Sequence, residues 1–296
     1  MAEHELRWAS LSTYNKNDQI CELQNRDQIR ELLNKERDYS AYALGQLEPQ
    51  FFNQTRWFQL LNKENGNSGL VMHSKGGLGD ATMVFGDPTA IAKILSSYPG
   101  APITYISCQL KHLSVIEKTH HLSNKRPMLR LTVDRDGFKP DHGTETKKLK
   151  GLNVHQINQL YGSEGRPTYY QSTHIDDGFY HGVITNGNLT AIAGTHITSK
   201  QEQIAVVGNV YTLPQYRGLG QATAATSSTT KELLNFCTKV VLTVDPKNMP
   251  ALAAYKHLGY REGDTFIESN ARQHFGVNLR SFGLRFKSKI TNYIKG

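Results

Sequence analysis

Val210-Tyr211-Thr212-Leu213-Pro214-Gln215-Tyr216-Arg217-Gly218-Leu219-Gly220-Gln221-Ala222 decides how this 296-residue chain is read. An apolar run from Ile204 to Val210 enters it and stops at Pro214, which has no N–H to give to a strand ladder. Behind the glycines, a long segment of Ala, Thr, Lys, Glu and Leu has helical character. The order is strand, turn, helix. Gly218 and Gly220 carry no Cβ, so backbone amides at the helix mouth can approach a ligand closely. First-turn N–H groups lack internal partners and the helix dipole is positive there, so a phosphate or pyrophosphate fits without any lysine. A Gly-x-Gly turn by itself serves tight packing equally well.

A second constellation follows. Val240-Val241-Leu242-Thr243-Val244 is a β-branched run of the kind that forms a buried strand. Asp245-Pro246-Lys247-Asn248 then leads into a helix with Pro250 in its first turn and Gly259 at its end. Tyr255 lies about two helical turns after Asn248, so both can line one side of a cleft.

Together these segments resemble the acyl-CoA-binding core of the GNAT N-acetyltransferase superfamily. Arg217-Gly218-Leu219-Gly220-Gln221-Ala222 meets the pattern Arg/Gln-x-x-Gly-x-Gly/Ala, and Gln215 to Gly220 meets it two residues earlier; the first register gives the usual spacing from Pro214. Asn248, Ala251, Tyr255, Gly259 and Tyr260 meet Asn-x-x-Ala-x-x-x-Tyr-x-x-x-Gly-Tyr/Phe. The resemblance implies a GNAT fold of the α+β (mixed α/β) class, a mostly antiparallel, splayed sheet flanked by helices. It implies acetyl-CoA as co-substrate and no metal. Val210, Tyr211 and Thr212 would lie along the pantetheine arm as along an added strand. The amides of Gly218, Leu219, Gly220, Gln221 and Ala222, with Arg217, would hold the pyrophosphate. Asn248 would hydrogen-bond the arm, Tyr255 would protonate the departing thiolate, and an N–H near Val210 would stabilise the oxyanion.

The chain is long enough for two domains. It has no run of about 18 apolar residues and no basic-then-apolar leader at Met1 to Leu6, which predicts a soluble, non-exported protein. Cys21, Cys108 and Cys237 are isolated and odd in number, which suits a reducing cytoplasm and excludes a disulfide framework or a Cys-x-x-Cys metal site. A net charge of +8 makes anionic partners plausible. The basic residues are dispersed apart from Lys147 to Lys150 and Arg285 to Lys289, so anionic CoA is a better match than nucleic acid.

In chain order, Arg26 to Leu47 predicts two short helices. Trp57 to Leu61, Gly69 to His73 and Ala81 to Phe85 read as strands separated by turns at Asn65-Gly66-Asn67 and Lys75 to Asp80. Helix 88–97, strand 103–108, helix 110–118 and strand 128–133 follow. That order matches the C-terminal half, where helix 153–161 precedes strands 179–185 and 189–195 around Asn186-Gly187-Asn188. Two tandem GNAT-like domains are therefore predicted, or else a first domain of another α+β type: 1–135 degenerate, lacking a glycine turn after Thr82 to Pro88; 136–151 a linker; and 152–296 the acetyltransferase domain, expected to bind CoA alone.

For the general base, His196 follows strand 189–195 and titrates near neutrality in its ordinary state, though a histidine at a strand end can equally be structural. His174 with Asp176 and Asp177 can bind a cationic acceptor or cap a loop. The expected function is transfer of acetyl from acetyl-CoA to a primary amine, a small molecule or a peptide, by direct attack in a ternary complex. A non-catalytic acyl-CoA-binding module and a nucleic-acid-associated protein are the alternatives.

Overall fold

A computed structural model describes residues 19–61, 68–76, 79–165, 168 and 170–274. The first half runs β1 (Gln19–Leu23), α1 (Arg26–Asn34), α2 (Ala41–Gly45), α3 (Pro49–Phe52), β2 (Thr55–Leu61), β3 (Ser68–Gly76), β4 (Gly79–Gly86), α4 (Pro88–Ser97), β5 (Ile103–Cys108), α5 (Leu113–Ile116) and β6 (His120–Asp134). The second runs β7 (Lys147–Lys148), α6 (Val154–Gly162), α7 (Ser172–Asp176), β8 (His181–Thr185), β9 (Asn188–Ser199), β10 (Ile204–Thr212), α8 (Gln221–Leu233), β11 (Lys239–Val244), α9 (Met249–His257) and β12 (Arg261–Gln273). Each half is thus a strand, helices, a three-stranded meander, and then helix, strand, helix, strand.

Helix α4 and strand β5 occupy their predicted ranges, and Asn186 and Gly187 turn the β8–β9 hairpin with φ of 52° and 80°. The strand expected at 128–133 is longer and starts at His120, the helix expected at 110–118 breaks into a 3₁₀ turn before α5, and α3 and β12 are additions. The turn predicted at Asn65-Gly66-Asn67 and the basic stretch Arg285 to Lys289 lie outside the described residues.

All twelve strands join one sheet, in the order β1-β2-β3-β4-β5-β12-β6-β11-β10-β9-β8-β7. Its pairings are antiparallel except β4 with β5 and β10 with β11. The order crosses the two halves at the centre. Strand β12, the last of the second half, lies beside β5 of the first; β6, the last of the first half, lies beside β11 of the second. The two exchanged strands pair with each other from Arg261↔Thr132 to Gln273↔His120. The linker in sequence is therefore no boundary in the sheet.

The core follows the same logic. Strand β11 is buried on both faces, Val241 among one set of apolar residues and Val240, Leu242 and Val244 among another, which is why its sequence is apolar almost throughout. Helices α1 and α2 of the first half pack Ile29, Leu33, Ala41 and Leu44 into a cluster that includes Ile197, Ile204, Val206 and Val241 of the second. Burying each such Leu or Ile side chain contributes roughly 1.5–3 kcal/mol. Ion pairs Arg30–Glu202 (2.8 Å) and Lys239–Asp38 (2.6 Å) cross the same seam. On the other face, Ala224, Ala225, Ser227 and Thr229 are buried small residues that let α8 lie close to β8–β10.

Candidate functional site

Strand β10 is regular up to Gly208 and then breaks. Gly208 faces Gly194 on β9, but the next paired residue, Tyr211, faces Ile192, so Asn209 and Val210 oppose a single residue. This is a β-bulge. Asn209 takes φ 54°, a left-handed value that asparagine tolerates better than most side chains. Three bonds hold it there: its carbonyl accepts from the Tyr161 hydroxyl, and its Nδ2 donates to Tyr180 Oη (3.3 Å) and the Thr195 carbonyl (3.4 Å).

The bulge coincides with a split in the sheet. β10 and β11 pair only from Ile204↔Lys239 to Val207↔Leu242, and beyond that Gly208–Thr212 and Thr243–Val244 diverge. A wedge opens between them, with unpaired backbone on its walls. Val210 and Tyr211 are half-buried along it, while Thr212 is buried and its carbonyl accepts from Arg217 Nε at 3.1 Å.

At the end of β10 the chain makes the glycine turn. Gly218 and Gly220 have φ of 79° and 75°, which explains the glycines conformationally. A Cβ built on either meets nothing within 4 Å, so packing does not demand them and the space above is free. Gly220 is the N-cap of α8, and Ala224 N–H, bonding to Gly220 O, is the first amide with an intrahelical partner. The preceding amides face open space, a built-in anion cradle. Leu219 is exposed. Gln221 is buried, its amide bonding the hydroxyls of Thr190 and Thr185, so its side chain anchors α8 and only its backbone, like that of Ala222, faces the turn. Arg217 is half-exposed and pairs with Glu164 at 3.2 Å.

Asn248 and Tyr255 stand across the wedge. Asn248 is the N-cap of α9, its Oδ1 accepting from Ala251 N–H at 3.2 Å, which leaves its Nδ2 uncommitted. Tyr255 packs in the apolar cluster of β10, β11 and α9, its ring tilted against that of Tyr260 with centroids 6.1 Å apart. Its hydroxyl makes no hydrogen bond to a described residue. Burial pushes its pKa up to about 12, so at neutral pH it holds its proton.

His196 is brought to the bulge by a second irregularity. Ile197 faces Val206 and Thr195 faces Val207, so His196 is the extra residue on β9. Its ring lies over Gly208, where a Cβ would come within 2.1 Å of Nε2. His196 is exposed at the surface of the cleft, yet the density of protein around its ring, and next the Arg130 guanidinium, draw its pKa down to about 4. At that pKa the imidazole is neutral at physiological pH but a weakened base. His174 Nδ1 accepts from Gln171 N–H and Asp176 Oδ1 accepts from Gly151 N–H, which fits the loop-capping alternative.

The corresponding place in the first half is closed. β4 and β5 also run parallel for three positions and then diverge. There the Tyr39 hydroxyl fills the gap, its proton shared between the carbonyls of Val84 and Ser107, each at 3.2 Å. Asp87 follows the strand at once and caps α4, so a carboxylate sits where an anion would have to bind.

Residues 151–260 match the family model described as acetyltransferase (GNAT) family. This segment is a GNAT acetyltransferase domain. The matched range contains the bulge, the wedge, the glycine turn, Asn248 and Tyr255. Solved structures with a similar fold include a GCN5-related N-acetyltransferase from Sphaerobacter thermophilus (TM-score 0.56, 11% identity, 86% of this chain and 95% of that one). Another, from Kribbella flavida, gives TM-score 0.54 at 16% identity over 79% and 94% of the chains. A GNAT-family acetyltransferase from Colwellia psychrerythraea gives 0.51 at 12% over 86% and 99%. At these identities the likeness is one of fold, and it extends over the first half as well as the GNAT domain. No curated protein matches the sequence.

Sequence reading missed Asn209, Tyr161 and Tyr180 around the bulge, and Arg130 behind it. Only Arg130 left a trace: a lone charge in the run Leu129-Arg130-Leu131. The described residues contain no group of three His, Cys, Asp or Glu placed to hold a metal ion, and no helix among them is long and apolar enough to cross a membrane.

Proposed function

We propose that the chain is an acyl-CoA-dependent N-acyltransferase that moves acetyl from acetyl-CoA to a primary amine. The observation that carries this reading is the alignment, along one strand, of a wedge open beyond Val207, a bulge at Asn209 and an unfilled glycine turn at Gly218–Gly220. A thioester on a long anionic carrier needs those three features in that order. The free amides at the head of α8 suit the pyrophosphate, and the diverging edges of β10 and β11 offer hydrogen bonds to the pantetheine arm. The irregular backbone at Asn209–Val210 is the source of an N–H for the carbonyl oxygen.

The chemistry is then direct. The amine nitrogen forms a bond to the carbonyl carbon, the carbon–sulfur bond breaks, and the sulfur leaves as thiolate. Tyr255, protonated at neutral pH, gives its proton to the thiolate, and neutral His196 receives the proton that the amine releases and, as a weak base, passes it on to solvent. The Tyr255 phenolate recovers its proton from solvent. The free state of Cys21, Cys108 and Cys237 supports a reducing compartment such as the cytoplasm.

The test is a screen of primary amines with acetyl-CoA, reading release of free thiol, beside a calorimetric titration of CoA. Binding with acceptor-dependent thiol release is expected. CoA binding with no thiol release from any amine would leave the non-catalytic acyl-CoA-binding alternative standing.

A further inference from the structure

Arg130 is 3% exposed, lies at the centre of the sheet on β6, and makes no ion pair with any described residue. Its Nη1 donates to Thr243 Oγ1 at 2.6 Å and its Nη2 to the Tyr39 carbonyl at 3.4 Å; its Nε is buried without a partner. The guanidinium stacks on Phe266, 4.8 Å from the ring centroid. The carboxylates around it are committed elsewhere: Asp38 to Lys239, and Glu268 to the Tyr105 hydroxyl and Arg126. Together with Asp264 they only partly offset its burial, which draws its pKa down to about 10. A guanidinium has five N–H donors, and most of these are unused. A buried cation without a counterion is costly, so such an arrangement is suited to a charge that arrives with a ligand.

Its position says which ligand. Thr243 is the first residue of β11 past the last pairing with β10, and it is half-exposed to the wedge. His196 stands on the opposite wall over Gly208, the first residue of β10 past the same last pairing. The guanidinium therefore stands behind the reacting end of the wedge. The anion cradle for the carrier's pyrophosphate is elsewhere, at the far end of β10, so the carrier's phosphates do not supply the missing charge.

We propose that Arg130, contributed by the first half's exchanged strand, binds a carboxylate on the amine acceptor, making the acceptor class amino acids and other carboxylate-bearing amines. This rests on the acyltransferase reading and narrows it. It gives the first half a task in the site: β6 delivers the acceptor-recognising group, and Tyr39, which plugs the first half's own gap, holds that group through its carbonyl.

The experiment compares the proteinogenic amino acids and β-alanine with their primary amides as acceptors, at fixed acetyl-CoA, by thiol release. The free acid is expected to exceed its amide by at least about 10²-fold in kcat/KM, because a site built for a charged fork rejects a partner that lacks the charge. Arg130→Met should shrink that ratio to within about tenfold, chiefly through KM of the acid, with CoA affinity by calorimetry held within about threefold. Arg130→Lys, which keeps the charge and loses the fork, should fall between and serves where the methionine variant does not fold. Three results overturn the proposal: acid and amide used equally by the wild type; no acid used although CoA binds; or both substitutions lowering acid and amide alike, which would assign Arg130 to the thioester instead. Failure of CoA itself to bind would strike the acyltransferase reading.

Discussion

The imidazole of His196 lies across Gly208, occupying the space where any other residue would put its Cβ. Gly208 has no left-handed φ among the chain's positive-φ glycines, so contact, not backbone conformation, is what restricts it. Gly208→Ala should therefore leave the strand intact and push the ring off the bulge. With His196 as the base, thiol release should fall by about tenfold or more, as expected for a misplaced catalytic group, with CoA affinity retained. Full activity in the alanine variant would dissociate His196 from the reaction.

The same histidine predicts an acid-sensitive fold. Its pKa is about 4 in the native state against an ordinary 6.5, so between those values the unfolded chain binds a proton that the folded chain does not. Stability must then fall as pH drops from about 6.5 toward 4, and rise again with pH through the same window. His120, fully buried and also drawn down to about 4, contributes its full share to that slope, whereas the surface exposure of His196 reduces its own. His196→Gln should flatten Tm against pH in this range by the share of one proton. An identical slope in both proteins would mean that His196 titrates near its ordinary value.

Gly220→Val tests the anion cradle. The new Cβ meets no protein atom within 4 Å, so the chief cost to folding is that of a left-handed β-branched residue, at least about 1–2 kcal/mol. CoA affinity should fall further than this strain explains, by about 10²-fold, because the backbone amides lose their approach to the pyrophosphate. Calorimetry on folded wild type and variant gives the comparison; equal affinities would remove the turn from the site.

Tyr255→Phe separates chemistry from binding. The ring stays packed against Tyr260, so little volume changes. Where chemistry limits turnover, kcat should drop on the order of 10²-fold, with nearly constant CoA affinity. An unchanged kcat under that condition would hand the proton transfer to solvent.

A fragment beginning at Gly151 should not fold by itself. It lacks β6, so β11 would lose its antiparallel partner from Val244↔Leu129 to Lys239↔Asp134, and β12 would lose neighbours on both sides. Circular dichroism melts of residues 151–274 should show no cooperative transition, and adding the first half in trans should restore one along with CoA binding. A fragment that melts cooperatively and binds CoA unaided would mean that the exchanged strands are dispensable.

What the sequence determined by itself is local. The strand–turn–helix around Gly218 and Gly220, the N-cap at Asn248, the hairpin at Asn186-Gly187 and helix α4 each follow from residues adjacent in the chain, where dihedral preference and unpaired end groups act over a few positions. The tertiary structure decided what depends on distant partners. The exchange of β6 and β12 is invisible in either strand, since a buried strand reads the same whichever neighbour it has. The bulges at Asn209 and His196 come from a mismatch of register between β9 and β10, which the separate strands do not encode. Arg130 stands behind the wedge because β6 crosses into the second half of the sheet, so only the assembled fold brings the guanidinium of residue 130 to Thr243.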